Sequence, residues 1–166
     1  MRDLNSEHQN TDNRLYAYNF DYIHREFMIK EFQHLFNQQS RVLELGCYEG
    51  EFTKMLLPHF DNITVVEGSD KLVEKATKNV NSPKVKFIHS FFEDMNFDHS
   101  FDLIFLIHTL EHLDDRTAVL DKIHSLLTPN GKLILVVPNA NAASRQVAVS
   151  MGLISHNTAV TEGEKL

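Results

Sequence analysis

The residues best suited to chemistry begin with Val42-Leu43-Glu44-Leu45-Gly46-Cys47-Tyr48-Glu49-Gly50-Glu51-Phe52. An apolar run ends in a glycine, as where a strand enters a turn too tight for a Cβ. Gly50 then lets backbone approach a ligand just before an amphipathic stretch. A dinucleotide-binding bend would place glycines at 46, 48 and 51, so that a pyrophosphate can touch the backbone. Tyr48 and Glu51 occupy the last two of those positions. A phenol and a carboxylate there oppose a diphosphate, whereas Glu44, Glu49 and Glu51 suit a ligand bearing an ammonium or sulfonium group. Glu67 closes the next apolar run, 17 residues past Gly50 and just before Gly68. A carboxylate so placed can accept from both hydroxyls of a ribose.

A second group is His108-Thr109-Leu110-Glu111-His112. On a helix, two histidines four residues apart would share a face. The zinc-protease order His-Glu-x-x-His is absent and no third ligand lies nearby, so no metal site is expected. An imidazole titrates near about pH 6.5, which suits removing a proton from a hydroxyl. The plainer alternative is that both rings pack and bond to backbone without a catalytic part.

Five apolar runs of strand length must position these groups: 42–45, 63–66, 85–88, 103–107 and 133–137. The fourth is nearly continuous, as in a strand covered on both faces. Between the runs, 51–57, 70–79 and 114–127 carry helical apolar stripes, with Ser69 or Asp70 and Asp114 as caps. Thr128-Pro129-Asn130-Gly131 reads as the turn into the fifth run. A helix is expected over 20–37 and another over 141–151. The alternation predicts an α/β fold, a Rossmann-like, open, mainly parallel sheet of about five strands with helices on both faces. Ligands of such sheets lie beyond the carboxyl ends of the strands.

The 166 residues, 42% hydrophobic, suit one globular domain over 16–166, with 1–15 as a mobile polar tail. Within it, 16–38 forms a helical segment, 40–138 the binding core and 139–166 a C-terminal helix and tail. The net charge of −7 opposes binding to nucleic acid. A single cysteine, Cys47, excludes an internal disulfide framework. No run approaches the about 20 apolar residues of a membrane span, and residues 1–13 lack the apolar centre of a signal peptide. The composition reads as soluble and cytoplasmic.

The stretches Glu44–Gly50, Val66-Glu67, Phe101-Asp102-Leu103-Ile104 and Leu126–Leu133 together resemble a class I S-adenosylmethionine-dependent methyltransferase of the small-molecule branch. The resemblance covers about 40–138, with Tyr48 in place of the middle glycine of the first motif. It implies S-adenosyl-L-methionine as cofactor. Glu44 and Gly46 would hold its methionine end, with Cys47, Tyr48 and Gly50 completing the bend. Glu67 would take the ribose beside Gly68. Phe91 aligns with the family's adenine-binding aspartate, so Phe91 or Phe92, next to Glu93, would stack on the ring; the alternative is that both fill the core. His108 would line the cofactor and His112 would face the acceptor as general base. Tyr18, within a tyrosine-bearing segment able to close over the cofactor, and Asn139 and Arg145, beside the crevice, are candidate acceptor contacts. Arg145 could equally pair with surface acids.

The implied reaction is methyl transfer to a small polar acceptor, foremost at oxygen. The alternatives are a cofactor-binding or assembly module without turnover, and, against Tyr48 and Glu51, a nicotinamide oxidoreductase. The family finishes its sheet with a C-terminal hairpin that has no counterpart here beyond 158–161. An open fifth strand is a pairing hazard, so either the chain is a fragment or a second copy forms a homodimer over that edge.

Overall fold

The computed structural model describes residues 15–159, with side chains from Tyr22 onward. The expected tail over 1–14 and the positions from Val160 on lie outside the described residues. A first helix, α1 (Leu15–Phe32), runs into a 3₁₀ turn at Gln33–Leu35. It begins five residues before the expected start, because Leu15 to Asn19 contain no Gly or Pro to interrupt it. Then follow β1 (Arg41–Leu45), α2 (Glu51–Leu56), β2 (Asn62–Glu67), α3 (Asp70–Val80), β3 (Val85–His89) and β4 (Phe101–Ile107). The described chain ends with α4 (Arg116–Leu126), β5 (Leu127–Val136) and α5 (Ala143–Ser150).

The five strands form one sheet in the order β3-β2-β1-β4-β5, every pair parallel. The order runs one way from β1 and then reverses to β4. That switch opens a crevice beyond the carboxyl ends of β1 and β4. The middle strands are buried on both faces, which explains their continuous apolar runs. On one face Val42, Ile63, Val65, Leu103, Phe105 and Ile134 meet Phe52, Leu56, Phe60 and Ala76, with Ile29 from α1. On the other, Leu43, Leu45, Val66, Ile104 and Leu106 meet Val119, Ile123 and Leu126 of α4.

Two local expectations are corrected. Thr128-Pro129-Asn130-Gly131 does not separate helix from strand but lies within β5. Leu127 is extended (ψ 141°), so α4 passes straight into the strand. The residues are absorbed where pairing slips from Phe101–Leu127 to Leu103–Lys132. An outer strand tolerates Pro129 at such an irregularity, since its missing N–H breaks no inner ladder. The cap of α4 is Asp115 rather than Asp114: its Oδ1 accepts from Ala118 N at 2.9 Å. The cap of α3 is Ser69, as expected, accepting from Leu72 N at 3.3 Å. Thr158 and Ala159 lie outside any strand, and among the described residues no strand follows β5.

Phe105 stands at the centre of the first core. Its ring lies 5.6 Å from Phe52, 5.9 Å from Phe36 and 6.3 Å from Phe60, all at steep interplanar angles. Such edge-to-face contacts add to simple burial. Phe105→Ala is expected to cost about 3–5 kcal/mol, read as a lowered urea midpoint with an unchanged m-value.

Candidate functional site

The bend after β1 alternates left-handed residues. Gly46 (φ +79°), Tyr48 (φ +52°) and Gly50 (φ +86°) all take positive φ. Tyr48 therefore adopts the backbone a glycine would supply, against the steric preference of a side chain. A Cβ on Gly46 would lie 2.6 Å from Thr109 Oγ1, and one on Gly50 2.7 Å from Val80 Cγ2. Thr109 follows β4, and its hydroxyl faces both Leu45 O (3.3 Å) and Ile107 O (3.0 Å). The first and fourth loops thus meet with no room for a side chain at position 46.

Glu67 joins the first loop to the second. Its Oε2 accepts from the backbone N–H groups of Cys47 (3.2 Å) and Tyr48 (3.3 Å), and Oε1 from Ser69 N (3.0 Å). Burial raises its pKa, and these N–H groups with that of Gly68 offset only part of the rise. Gly68 O accepts from the His89 ring at 3.0 Å. Glu44, 2% exposed, is held by Thr53 of α2, whose hydroxyl donates to Oε2 at 2.7 Å. Its pKa is pushed up to about 8, chiefly by burial; the Thr53 bond opposes this, the Glu67 charge adds to it, and half-buried Arg25 of α1 opposes it. The two carboxyl groups therefore share one buried neighbourhood. Burial, with both carboxylates nearby, also raises the Cys47 thiol far above its ordinary range, so it is no nucleophile.

The acidic ring is smaller than expected. Glu49 pairs with Lys75 at 3.2 Å and Glu51 with Lys54 at 3.0 Å, which leaves Glu44 and Glu67 as the buried carboxyl groups at the bend. In the third loop Phe92, 7% exposed, packs in the core with Leu43 and Met95. Phe91 is half-buried and Glu93 exposed. The core alternative thus describes Phe92, and Phe91 remains as the ring available at that loop.

In the fourth loop, His108 and His112 do not share a helix face. His108 takes φ +50° and residues 110–112 form a 3₁₀ turn, the α-helix starting only at Arg116. Both rings are exposed. His108 N donates to Val136 O at 2.8 Å, and Arg116 donates to Leu110 O and Glu111 O at 3.1 and 3.2 Å. Between the histidines stands Glu111, which the sequence reading passed over. Its Oε1 lies 3.7 Å from His108 Nδ1. Burial pushes its carboxyl up, but the His108 side chain, its own backbone N–H and the charge of His112 outweigh this, and its pKa falls below the ordinary value. Its place three residues after one histidine and directly before another was the available signal.

Arg145 is corrected: its guanidinium donates to the carbonyls of Asn157 and Ala159. It binds residues 157–159 back onto α5. Asn139 Oδ1 accepts from Asn141 N at 2.9 Å, shaping the turn before α5. The Tyr18 side chain lies outside the described residues. Among the described residues no cluster of three His, Cys, Asp or Glu is set to hold a metal, and no helix is long and apolar enough to cross a membrane. A cavity of about 360 Å³ lies at the opposite end of the sheet, where Asp102 and Thr128 form part of its wall. Its carboxylate is already taken by Arg41 N (2.9 Å) and Thr128 Oγ1 (3.3 Å).

A family model described as a methyltransferase domain matches residues 14–160. The chain belongs to the methyltransferase-domain family. Over 113 residues this domain is 32% identical to malonyl-[acyl-carrier protein] O-methyltransferase 1 of Ilyobacter polytropus, covering 66% of this chain and 42% of that protein. It is 32% identical over 120 residues to trans-aconitate 2-methyltransferase of an Enterobacter species, covering 68% and 47%. The chain thus spans under half the length of these curated relatives. A solved S-adenosylmethionine-dependent methyltransferase from Clostridium acetobutylicum superposes with a TM-score of 0.66 at 19% identity, over 92% of this chain and 62% of that one. The N-methyltransferase NodS from Bradyrhizobium japonicum, in complex with S-adenosyl-L-homocysteine, gives 0.61 at 21% identity, over 74% and 62%. The two structures show a common Rossmann-like fold.

Glu44 makes the domain's stability depend on pH. In the folded chain its carboxyl keeps a proton up to about 8, against an ordinary value of 4.5. The folded state binds more protons across that window, so stability falls as pH rises through it. The loss over the whole window is on the order of 5 kcal/mol. Glu44→Gln keeps the shape and the Thr53 contact without the charge. Its urea midpoints at pH 5 and pH 8 are expected to lie closer together than those of the wild type.

Proposed function

We propose that this chain is the cofactor-binding domain of an S-adenosylmethionine-dependent methyltransferase whose acceptor is small and polar and reacts at oxygen. The observation that carries the reading is the pair of buried carboxylates, Glu44 and Glu67, converging on a bend of left-handed backbone at the sheet's switch point. The donor set fits the cofactor. A cationic sulfonium and ammonium and a ribose diol match carboxylate acceptors, whereas a diphosphate would meet Glu67 where it needs free N–H groups.

Glu44, Gly46, Cys47, Tyr48 and Gly50 would hold the methionine portion, and Glu67 with Gly68 the ribose. Phe91, with Glu93 and the Phe92 backbone, would flank the adenine, and His108 would close the side nearest β4. When bound, S-adenosylmethionine supplies a methyl group already electrophilic at sulfur. The chain's own part is therefore mostly alignment. Gly46 keeps the bend against Thr109, and the pinned fourth loop fixes the far wall. His112, exposed at that loop, would take the proton of an acceptor hydroxyl. Asn139 and Tyr18 would line the acceptor side.

A second reading, a cofactor-binding module without turnover, or a homodimer joined at β5, is favoured by one observation. Leu135 is 40% exposed on an outer strand that, among the described residues, pairs only with β4.

Calorimetric titration with S-adenosyl-L-homocysteine tests the proposal. Saturable binding is expected, weakened about tenfold or more by Glu67→Ala, since a carboxylate bond to hydroxyls contributes about 1.5–3 kcal/mol. Absence of binding at millimolar product would overturn it. Methyl transfer to hydroxyl-bearing acceptors separates the enzyme from the module, and sedimentation separates monomer from dimer.

A further inference from the structure

We propose that the cavity at the amino-terminal end of the sheet is a second binding site, taking a small organic anion whose carboxylate or phosphate group meets Lys132. This site does not depend on the methyltransferase reading, since it opens at the far end of the strands from the bend and the fourth loop. Its volume of about 360 Å³ falls within the size range of small-molecule sites. Three segments well separated in the chain line it: the connection before β1, the start of β4 and the first half of β5.

The walls are braced before any ligand arrives. Asp102 accepts from Arg41 N at 2.9 Å and Thr128 Oγ1 at 3.3 Å, and pairs with the Arg41 guanidinium at 3.9 Å. One carboxylate thus ties the beginnings of β1, β4 and β5 together. Beside it β4 advances from Phe101 to Leu103 while β5 advances from Leu127 to Lys132. Extra residues of this kind bend a strand and re-aim its side chains. The insertion is tightly folded, for a Cβ on Gly131 would lie 2.9 Å from Phe101 O. Asn130 and Lys132, on either side of that glycine, both face the cavity.

Charge decides what fits. Asp102 is the one carboxylate among the lining residues, and Arg41 answers it. Lys132 is exposed to the cavity, and among the described residues its ammonium has no ion pair. The side chains of Gln39, Ser40 and Asn130 line the same space and make no hydrogen bond among the described residues. In a chain of net charge −7, the cavity therefore presents one uncompensated cation flanked by three neutral donors. An ionised carboxylate or phosphate accepts from all of them, and its bond to the ammonium is charge-assisted. A neutral polyol gains no such bond, and a cation is repelled. Leu35 and Leu103 add apolar wall, which the carbon skeleton of an organic anion covers.

The test follows the backbone amides of the whole chain by NMR while citrate, glycerol 3-phosphate and glycerol are titrated separately. Ionic strength is held fixed, so that screening does not change. At least one of the two anions is expected to shift the signals of residues 37–40 and 128–132 saturably, and the tighter of them names the head group. Glycerol should leave those signals in place. Lys132→Gln should weaken the response about tenfold or more, and Asn130→Asp, which sets a like charge in the cavity, should abolish it. Lys86→Gln, on the opposite edge strand, should leave it unchanged. No saturable shift with either anion, an equal shift with glycerol, or an undiminished response in Lys132→Gln would each overturn the site. Equal weakening in Lys86→Gln would mean an adventitious ion only. Addition of S-adenosyl-L-homocysteine should not displace the anion, and competition between the two would place the anion in the crevice instead. Failure of the homocysteine product to bind would count against the methyltransferase reading alone, since the anion titrations stand without it.

Discussion

Two carboxyl groups buried at the ends of adjacent parallel strands set the terms for everything around them. Neither Glu44 nor Glu67 can stay charged in a dry environment without donors aimed at it. Glu67 draws the N–H groups of Cys47, Tyr48 and Ser69 onto itself, which fastens the first loop to the second. Those N–H groups point inward only because Tyr48 and its flanking glycines take left-handed backbone. Glu44 has one strong donor, the Thr53 hydroxyl, and holds its proton as the remaining compensation. A cation arriving between the two would supply what the protein leaves out.

The sheet makes that arrangement possible. Reversal of strand order between β1 and β4 brings two loops, over sixty residues apart in the chain, against each other. Thr109 fills the space that a Cβ at position 46 would need. The glycine there does two things at once: it allows positive φ and admits a neighbouring loop. Gly50 does the same against Val80 and Ala76 of α3. The bend is therefore braced from three sides before any ligand binds.

Much of this was legible in the residues. The five apolar runs, the continuous fourth strand, the Ser69 cap and the glycine bend depend on local periodicity or on one residue's backbone freedom, and sequence carries both directly. What was hidden depends on partners far away. Glu49 and Glu51 looked like a ring of negative charge, but Lys75 lies 26 residues from Glu49 and turns that charge inward on the protein. Arg145 looked free for an anion, yet two backbone carbonyls of residues 157–159 claim it. Phe92 could have faced ligand or core, and only the packing of Leu43 and Met95 decides. Thr128-Pro129-Asn130-Gly131 has the composition of a turn, yet the slipped pairing with β4 holds it in a strand. Glu111 stands out only in three dimensions, where its Oε2 is buried without a partner among the described residues.

The two halves of the crevice differ in how far the chain satisfies itself. Where β1 and β2 end, both carboxyl groups are bonded and the bend is braced, and the edge strand β3 carries Lys86 and His89 next to Lys84, which discourage another strand from pairing there. Toward β4 and β5 the needs are unmet. Glu111 keeps an oxygen without a donor, β5 carries no charge from Leu133 to Val136, and Leu135, Val147 and Met151 turn apolar surface outward. A single cofactor, identical in every turnover, can be met by a fixed set of bonds. The acceptor is what distinguishes one member of a fold from another, and its recognition draws on surfaces and side chains left available for it.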